Sequence, residues 1–168
     1  KNQLISVETS SDTVSTGVPR EKYVYSYDYK GRKVKSEHYN YVGSGWVLVS
    51  TNKRFYDNWN LIYETTEFVD TSIPTDVKKY YYGVDSFSTI YFSGGMGSLC
   101  MVDINSKIGF VFSGANTNVE SIFSADANCE VLADYLYSAY GEVMMQSGEL
   151  AQKNPMRFST RYAENTSL

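Results

Sequence analysis

The chain has one histidine and two cysteines in 168 residues, and that scarcity excludes several kinds of chemistry. Metal sites built on Cys and His need several such ligands at short spacing. Here there is no CxxC pair, and only His38 stands beside Cys100 and Cys129 as a ligand of that type. Nucleophilic catalysis usually wants a serine or cysteine next to a histidine base that an acid orients. His38 is the one base of that kind, and it sits between Glu37 and Tyr39 on a predicted strand, where a cross-strand polar residue is its ordinary role. No apolar run approaches the roughly 18 residues that a membrane-spanning helix needs. Like charges never form a long block, and 15 basic against 19 acidic residues leave a net charge of −4. That balance argues against nucleic acid and anionic membrane surfaces as partners. Good helix formers are also scarce: the 8 Leu and 7 Ala together are fewer than the 16 Tyr. Strand formers stand in their place, which disfavours a helical bundle, a coiled coil and a disordered chain.

The length fits one domain. Residues 1–20 read as a flexible lead-in, because the stretch ETSSDTVSTG at 8–17 is polar and has little to bury. Residues 21–168 then form a single all-β domain. The chain begins at Lys1, and a removed signal peptide is one economical explanation. In an exported protein Cys100 and Cys129 are candidates for one disulfide; in a cytosolic one they are small buried hydrophobes.

What is present is a repeat. Tyr25 to Val34, YSYDYKGRKV, recurs 29 residues later as Arg54 to Tyr63, RFYDNWNLIY. A gapless overlay matches Tyr27 with Tyr56, Asp28 with Asp57, and Gly31 with Asn60. Asp opens a turn by accepting from backbone amides two residues on, and Gly or Asn three residues later takes positive φ cheaply. Alternation through Tyr23, Tyr25, Tyr27 and Tyr29 supplies a strand with one tyrosine face, onto which Tyr39 and Tyr41 are expected from the next strand. Weaker copies start at Tyr82, Cys100, Phe123 and Tyr135, with turn initiators at Asp85, Asp103, Asp126 and Ser138. The sequence therefore predicts an antiparallel meander of about ten strands built from hairpins, rolled or barrel-like so that an aromatic face is covered. Residues 128–140 also fit a single helix, with Val131, Leu132, Tyr135, Leu136, Ala139 and Tyr140 at helical spacing and Gly141 as its stop. The competing reading is a strand from Glu130 to Tyr137 followed by a turn at Ser138–Gly141. Further on, Asn154-Pro155 marks a turn, and Met156 to Tyr162 alternates like a closing or edge strand.

Paired YD dipeptides followed by Gly or Asn, with the strand residues Trp46 and Val47 between them, resemble the YD/RHS-type hairpin repeats of secreted and surface proteins of Bacteroidetes, including families of unknown function. The resemblance covers residues 22–69, with an echo at 135–144. It implies an exported all-β protein, periplasmic, surface-bound or secreted, and brings no catalytic residues with it. Asp12-Thr13-Val14 resembles the O-glycosylation signal of that phylum, with Thr13 as acceptor.

No catalytic set, metal site or cofactor site is predicted. Asp103-Ile104-Asn105 and Asp57 to Asn60 lack the Gly and distal Glu of a calcium loop, and Gly94-Gly95-Met96-Gly97 lacks the Lys-Ser/Thr of a phosphate loop. The aromatic surplus is the remaining candidate. Trp46, Trp59, Tyr25, Tyr27 and Tyr39 are the predicted ligand-contact aromatics, on which sugar rings or a partner's apolar patch would stack. The expected function is a non-catalytic binding module with a glycan or surface protein as partner. The rivals are a hydrolase of polysaccharide or peptidoglycan, using acids near 94–98 or 114–118, and a structural or self-assembling surface spacer.

Overall fold

The computed structural model describes residues 2–10, 19–84, 88–89 and 97–164. Thr13, Asp85 and Gly94 to Met96 lie outside the described residues. The fold is all-β: β1 (Ser6–Glu8), β2 (Glu21–Tyr27), β3 (Lys33–Val42), β4 (Gly45–Asp57), β5 (Asn60–Phe68), β6 (Asp76–Tyr82), β7 (Leu99–Ile104), β8 (Lys107–Ser113), β9 (Val119–Ser124), β10 (Val131–Tyr137) and β11 (Val143–Ser147). Each strand neighbours the next, in the order β1 through β11. β1 does not pair with β11, so the meander is an open sheet and not the barrel-like closure that was one expectation. Ser6–Glu8, within the stretch read as a lead-in, is in fact hydrogen-bonded along β2.

The turns explain much of the register. Asp28 Oδ1 accepts from the amides of Lys30 and Arg32, both at 2.9 Å, Gly31 N donates to Asp28 O at 3.0 Å, and Gly31 has φ +88°. The last copy repeats this bond for bond: Ser138 Oγ accepts from Tyr140 N and Glu142 N, Gly141 N donates to Ser138 O, and Gly141 has φ +87°. Both hairpins also carry a register shift just before the turn, at Ser26/Tyr27 and at Leu136/Tyr137. The second copy departs from the overlay. Its turn residues are Asn58 and Trp59, the positive φ falls on Asn58 (+51°), and Asn60 is the buried first residue of β5. Asp103, expected to open a turn, lies inside β7, and the tight two-residue turn is Asn105–Ser106, both at positive φ.

No helix forms over 128–140; the segment is strand β10 followed by the Ser138 turn. A bulge between Val131 and Ala133 turns Leu132 and Ala133 both inward. Two adjacent inward residues break period-two alternation and mimic helical spacing. Met156 to Tyr162 is likewise no strand of the sheet: Met156 and Tyr162 bridge each other across a 3-10 turn at Phe158–Thr160. Asn154 bends the chain into this turn, its Oδ1 accepting from Met156 N and its Nδ2 donating to Met156 O.

The chain divides into two compact units, one of residues 1–55, 64–76 and 166–168, the other of residues 56–63 and 77–165. In the first, Tyr25 is the one buried apolar residue among those described, and Ser50, Arg54 and Glu64 are buried polar ones. The second holds a true core: Val102, Ile104, Val119, Ile122, Leu132 and Ala133 are at most 3% exposed. After β11 the chain turns at Gly148 (φ +98°), and Leu150, Ala151 and Met156 join that core. A side chain at 148 would meet Leu132 O at 2.5 Å, so both space and conformation require glycine there.

Candidate functional site

The aromatic residues predicted to contact a ligand lie in different environments. Tyr25 is buried, with Lys33 Nζ 3.7 Å from its ring centre, so it offers no surface. Tyr27 is half-buried and donates its hydroxyl to Leu4 O at 2.7 Å. Tyr39 and Tyr41 do not share the face of Tyr23 and Tyr25. The cross-strand partner of Tyr23 is His38, with the rings stacked at 4.5 Å and 6°, while Tyr39 pairs with Lys22 on the reverse side. The length of the Asp28 turn sets this register, and a shift of one residue exchanges the faces. Tyr29 lies in the turn itself and is 84% exposed. Trp46 is half-buried: Tyr41 meets it edge-on at 5.2 Å, and Arg20 stacks over both rings. Trp59 is exposed in its two-residue turn.

His38 Nε2 stands 3.6 Å from Glu21 Oε2, and Ser50 is its cross-strand neighbour. The three residue types match a catalytic triad in composition only, because His38 Nε2 makes no hydrogen bond and none joins Ser50 to the imidazole. Cys100 and Cys129 are both exposed free thiols, so the bridge expected for an exported chain is not formed. Their sulfurs donate instead to Ser98 O and Asp126 O.

The site that alternation alone does not reveal lies within the second unit. The ladder between β9 and β10 ends at Ser121 and Asp134, although β10 runs on to Tyr137 alongside β11. Below that point the end of β9 is held by other partners: Val119 N donates to Arg157 O, and Tyr137 Oη donates to Val119 O at 2.7 Å. Ser159 N donates to Asn118 Oδ1 and Thr160 Oγ1 to Thr117 O, tying the 3-10 turn to the same loop. The strands therefore part, leaving a cleft of about 530 Å³ that is lined by Asn116, Glu120, Asp134, Leu136, Tyr137 and Phe158 among others.

Chemistry divides this cleft into a floor and a rim. Tyr137 and Phe158 meet edge-to-face at 6.0 Å and 64°, and Leu136, on the exposed side of β10 with Asp134, adds apolar lining. Burial, reinforced by neighbouring Tyr135 and by Glu120, pushes the Tyr137 phenol above its ordinary pKa, so it remains a neutral donor. On the rim Asp134 Oδ1 accepts from Ser121 Oγ at 2.7 Å, leaving its second oxygen for a ligand. Glu120 is an extra residue in β9, at the shift between Phe112–Ser121 and Ser113–Val119, and its carboxylate lies over Gly114. The side chains of Glu120 and Asn116 make no hydrogen bond among the described residues. Two carboxylates, an amide and an aromatic floor present acceptors to hydroxyl groups and a flat apolar surface to a ring.

A second groove of about 580 Å³ lies beside Ser106, Asp126 and Lys153. Lys107 there pairs with Glu149, and that contact holds the Glu149 carboxyl below its usual range. Every carboxyl with a displaced pKa among the described residues, Asp28, Asp70, Asp126 and Glu149, is displaced downward. No protein-family model and no curated protein matches this chain.

Proposed function

We propose that this chain is a non-catalytic binding module whose cleft between β9 and β10 takes a neutral, hydroxyl-rich ligand, best met by a terminal sugar of a glycan. The observation that carries the reading is the pairing of unsatisfied acceptors, on Glu120, Asp134 and Asn116, with the Tyr137–Phe158 floor in one opening. Sugar hydroxyls donate to carboxylates, and the apolar face of the ring stacks on an aromatic pair. Two acids on the rim repel anions, so acidic saccharides are excluded. An extracytoplasmic location belongs to the same proposal and rests on the YD-type resemblance. Subcellular fractionation of the source cell tests that part separately.

The binding test is a glycan microarray followed by calorimetry on the best neutral hit. Asp134→Ala and Glu120→Ala are each expected to weaken binding by about tenfold or more, the size of a lost hydrogen bond to a charged group. Both residues are exposed, so the melting temperature is expected to hold. An array blank for neutral glycans would sink the reading. Steady release of reducing ends would instead favour the hydrolase, with the same two acids as its catalytic pair.

A further inference from the structure

The outer face of the second unit contradicts the usual order of a half-buried strand. In β8, Gly109 and Val111 point toward the core, while Ile108, Phe110 and Phe112 point to solvent and are 44%, 55% and 56% exposed. The larger residues are outside. Gly109 explains the inner side: a side chain there would meet Ile122 Cγ2 at 2.5 Å and Leu132 Cδ1 at 3.2 Å. Nothing in the inner packing explains the outer side. The register carries apolar side chains along that same face across five strands, as Tyr81 lies opposite Met101, Met101 opposite Phe110, Phe110 opposite Phe123, and Phe123 opposite Val131. This is one unbroken apolar row, with Ile108 and Phe112 beside it.

We propose that a second copy of this chain covers that row, sheet face against sheet face about a twofold axis. Three observations select this occupant. The exposed fractions of Tyr81, Ile108, Phe110, Phe112, Phe123 and Val131 amount to on the order of 500 Å² of apolar surface, what one side of a standard interface of about 800 Å² per partner carries. On one flank of the row Lys79 Nζ pairs with Asp103 at 2.9 Å, and on the other Asp134, opposite Ser121, is an isolated acid held by the Ser121 hydroxyl. One isolated acid at the edge is not a charged patch that selects an oppositely charged partner, and the centre of the row between these flanks carries no charge. Finally, the row passes from strand to strand through directly opposed pairs, and a row centred on a twofold axis meets its own copy.

Sedimentation equilibrium and light scattering on the intact chain test the proposal, with a dilution series through the micromolar range. The expected result is twice the chain mass, reverting to one chain in Phe110→Lys and in Val131→Lys. Phe110→Tyr, which keeps the area, is expected to remain paired. Thermal melting and circular dichroism confirm that each variant is folded, and two variants on different strands guard against the loss of one. A folded wild-type chain that is monomeric throughout the series overturns the proposal, whatever else binds the face. The cleft reading stands or falls separately: Asp134→Ala is expected to leave the mass unchanged, and Phe110→Lys to leave glycan binding unchanged.

Discussion

One turn position shows how much a single residue decides. Gly31, Cys129 and Gly141 occupy the same place in three copies of the repeat, with φ of +88°, +50° and +87°. Glycine adopts this region freely, whereas cysteine does so at a cost of about 1 kcal/mol. At Gly141 space is limiting as well, because a Cβ would sit 2.6 Å from the Phe158 ring. Gly141→Ala is therefore expected to destabilise the fold by about 2 kcal/mol, combining left-handed strain with displacement of Phe158. Cys129→Gly is expected to cost nothing and to raise the midpoint of urea unfolding slightly. Equal losses in the two variants would mean that φ at this position does not govern the turn. Ile122, fully buried among Leu132, Val111 and Ala133, gives the scale of the core: Ile122→Ala is expected to cost about 3 kcal/mol.

The hairpin is the element that sequence reveals best, and its electrostatics set the acid response. At Asp28 partial burial pushes the carboxyl up. The backbone amide and guanidinium of Arg32 together with Lys30 N outweigh this and hold it below its usual range. At Asp126 the Asn128 amide leads and the Ser124 hydroxyl adds to it. A lowered folded-state pKa means that the unfolded chain binds the proton more tightly. The stabilisation is thus complete above the unfolded value of about 4 and is lost as pH falls through the lower folded value. Asp28→Asn keeps the acceptor oxygen and removes the titration, so its stability is expected to fall less steeply than wild type from pH 5 to about pH 3, as read by urea midpoints. Parallel curves would assign the acid response to other groups. Asp28–Gly31 and Ser138–Gly141 were legible because side-chain acceptor and glycine encode the turn locally. Asn60 and Asp103 misled because a two-residue turn places its positive φ elsewhere. The β10 bulge read as a helix because one inserted residue changes the apparent period.

At the scale of the whole molecule, what sequence hid is what depends on pairs of strands. Which face of β8 is inside, and where the β9–β10 ladder stops, are properties of register and have no signature in either strand alone. The tyrosine surplus did mark the first hairpins correctly, yet the apolar core lies in the second unit, under Val, Ile and Leu of ordinary abundance. Stability follows that core. Every buried apolar residue described except Tyr25 belongs to the second unit, and the first is held by ladders, by the Tyr23–His38 and Arg20–Tyr41 stacks, and by polar pairs such as Asn52 Nδ2 to Glu64 Oε1 at 2.6 Å. A half-buried stack contributes about 1 kcal/mol or less and a hydrogen bond to a carboxylate about 2 kcal/mol, but these contacts are few, whereas the second unit buries a whole cluster of apolar side chains at about 2 kcal/mol each. Amide exchange is therefore expected to be slowest in Val102, Ile104, Ile122 and Ala133, and faster by at least tenfold along β2 and β3. Chemical denaturation followed by tryptophan fluorescence of Trp59→Phe, whose remaining Trp46 reports the first unit, is expected to begin before those core amides open. Uniform protection across β2 to β10, with a single coincident transition, would show instead that the two units unfold together.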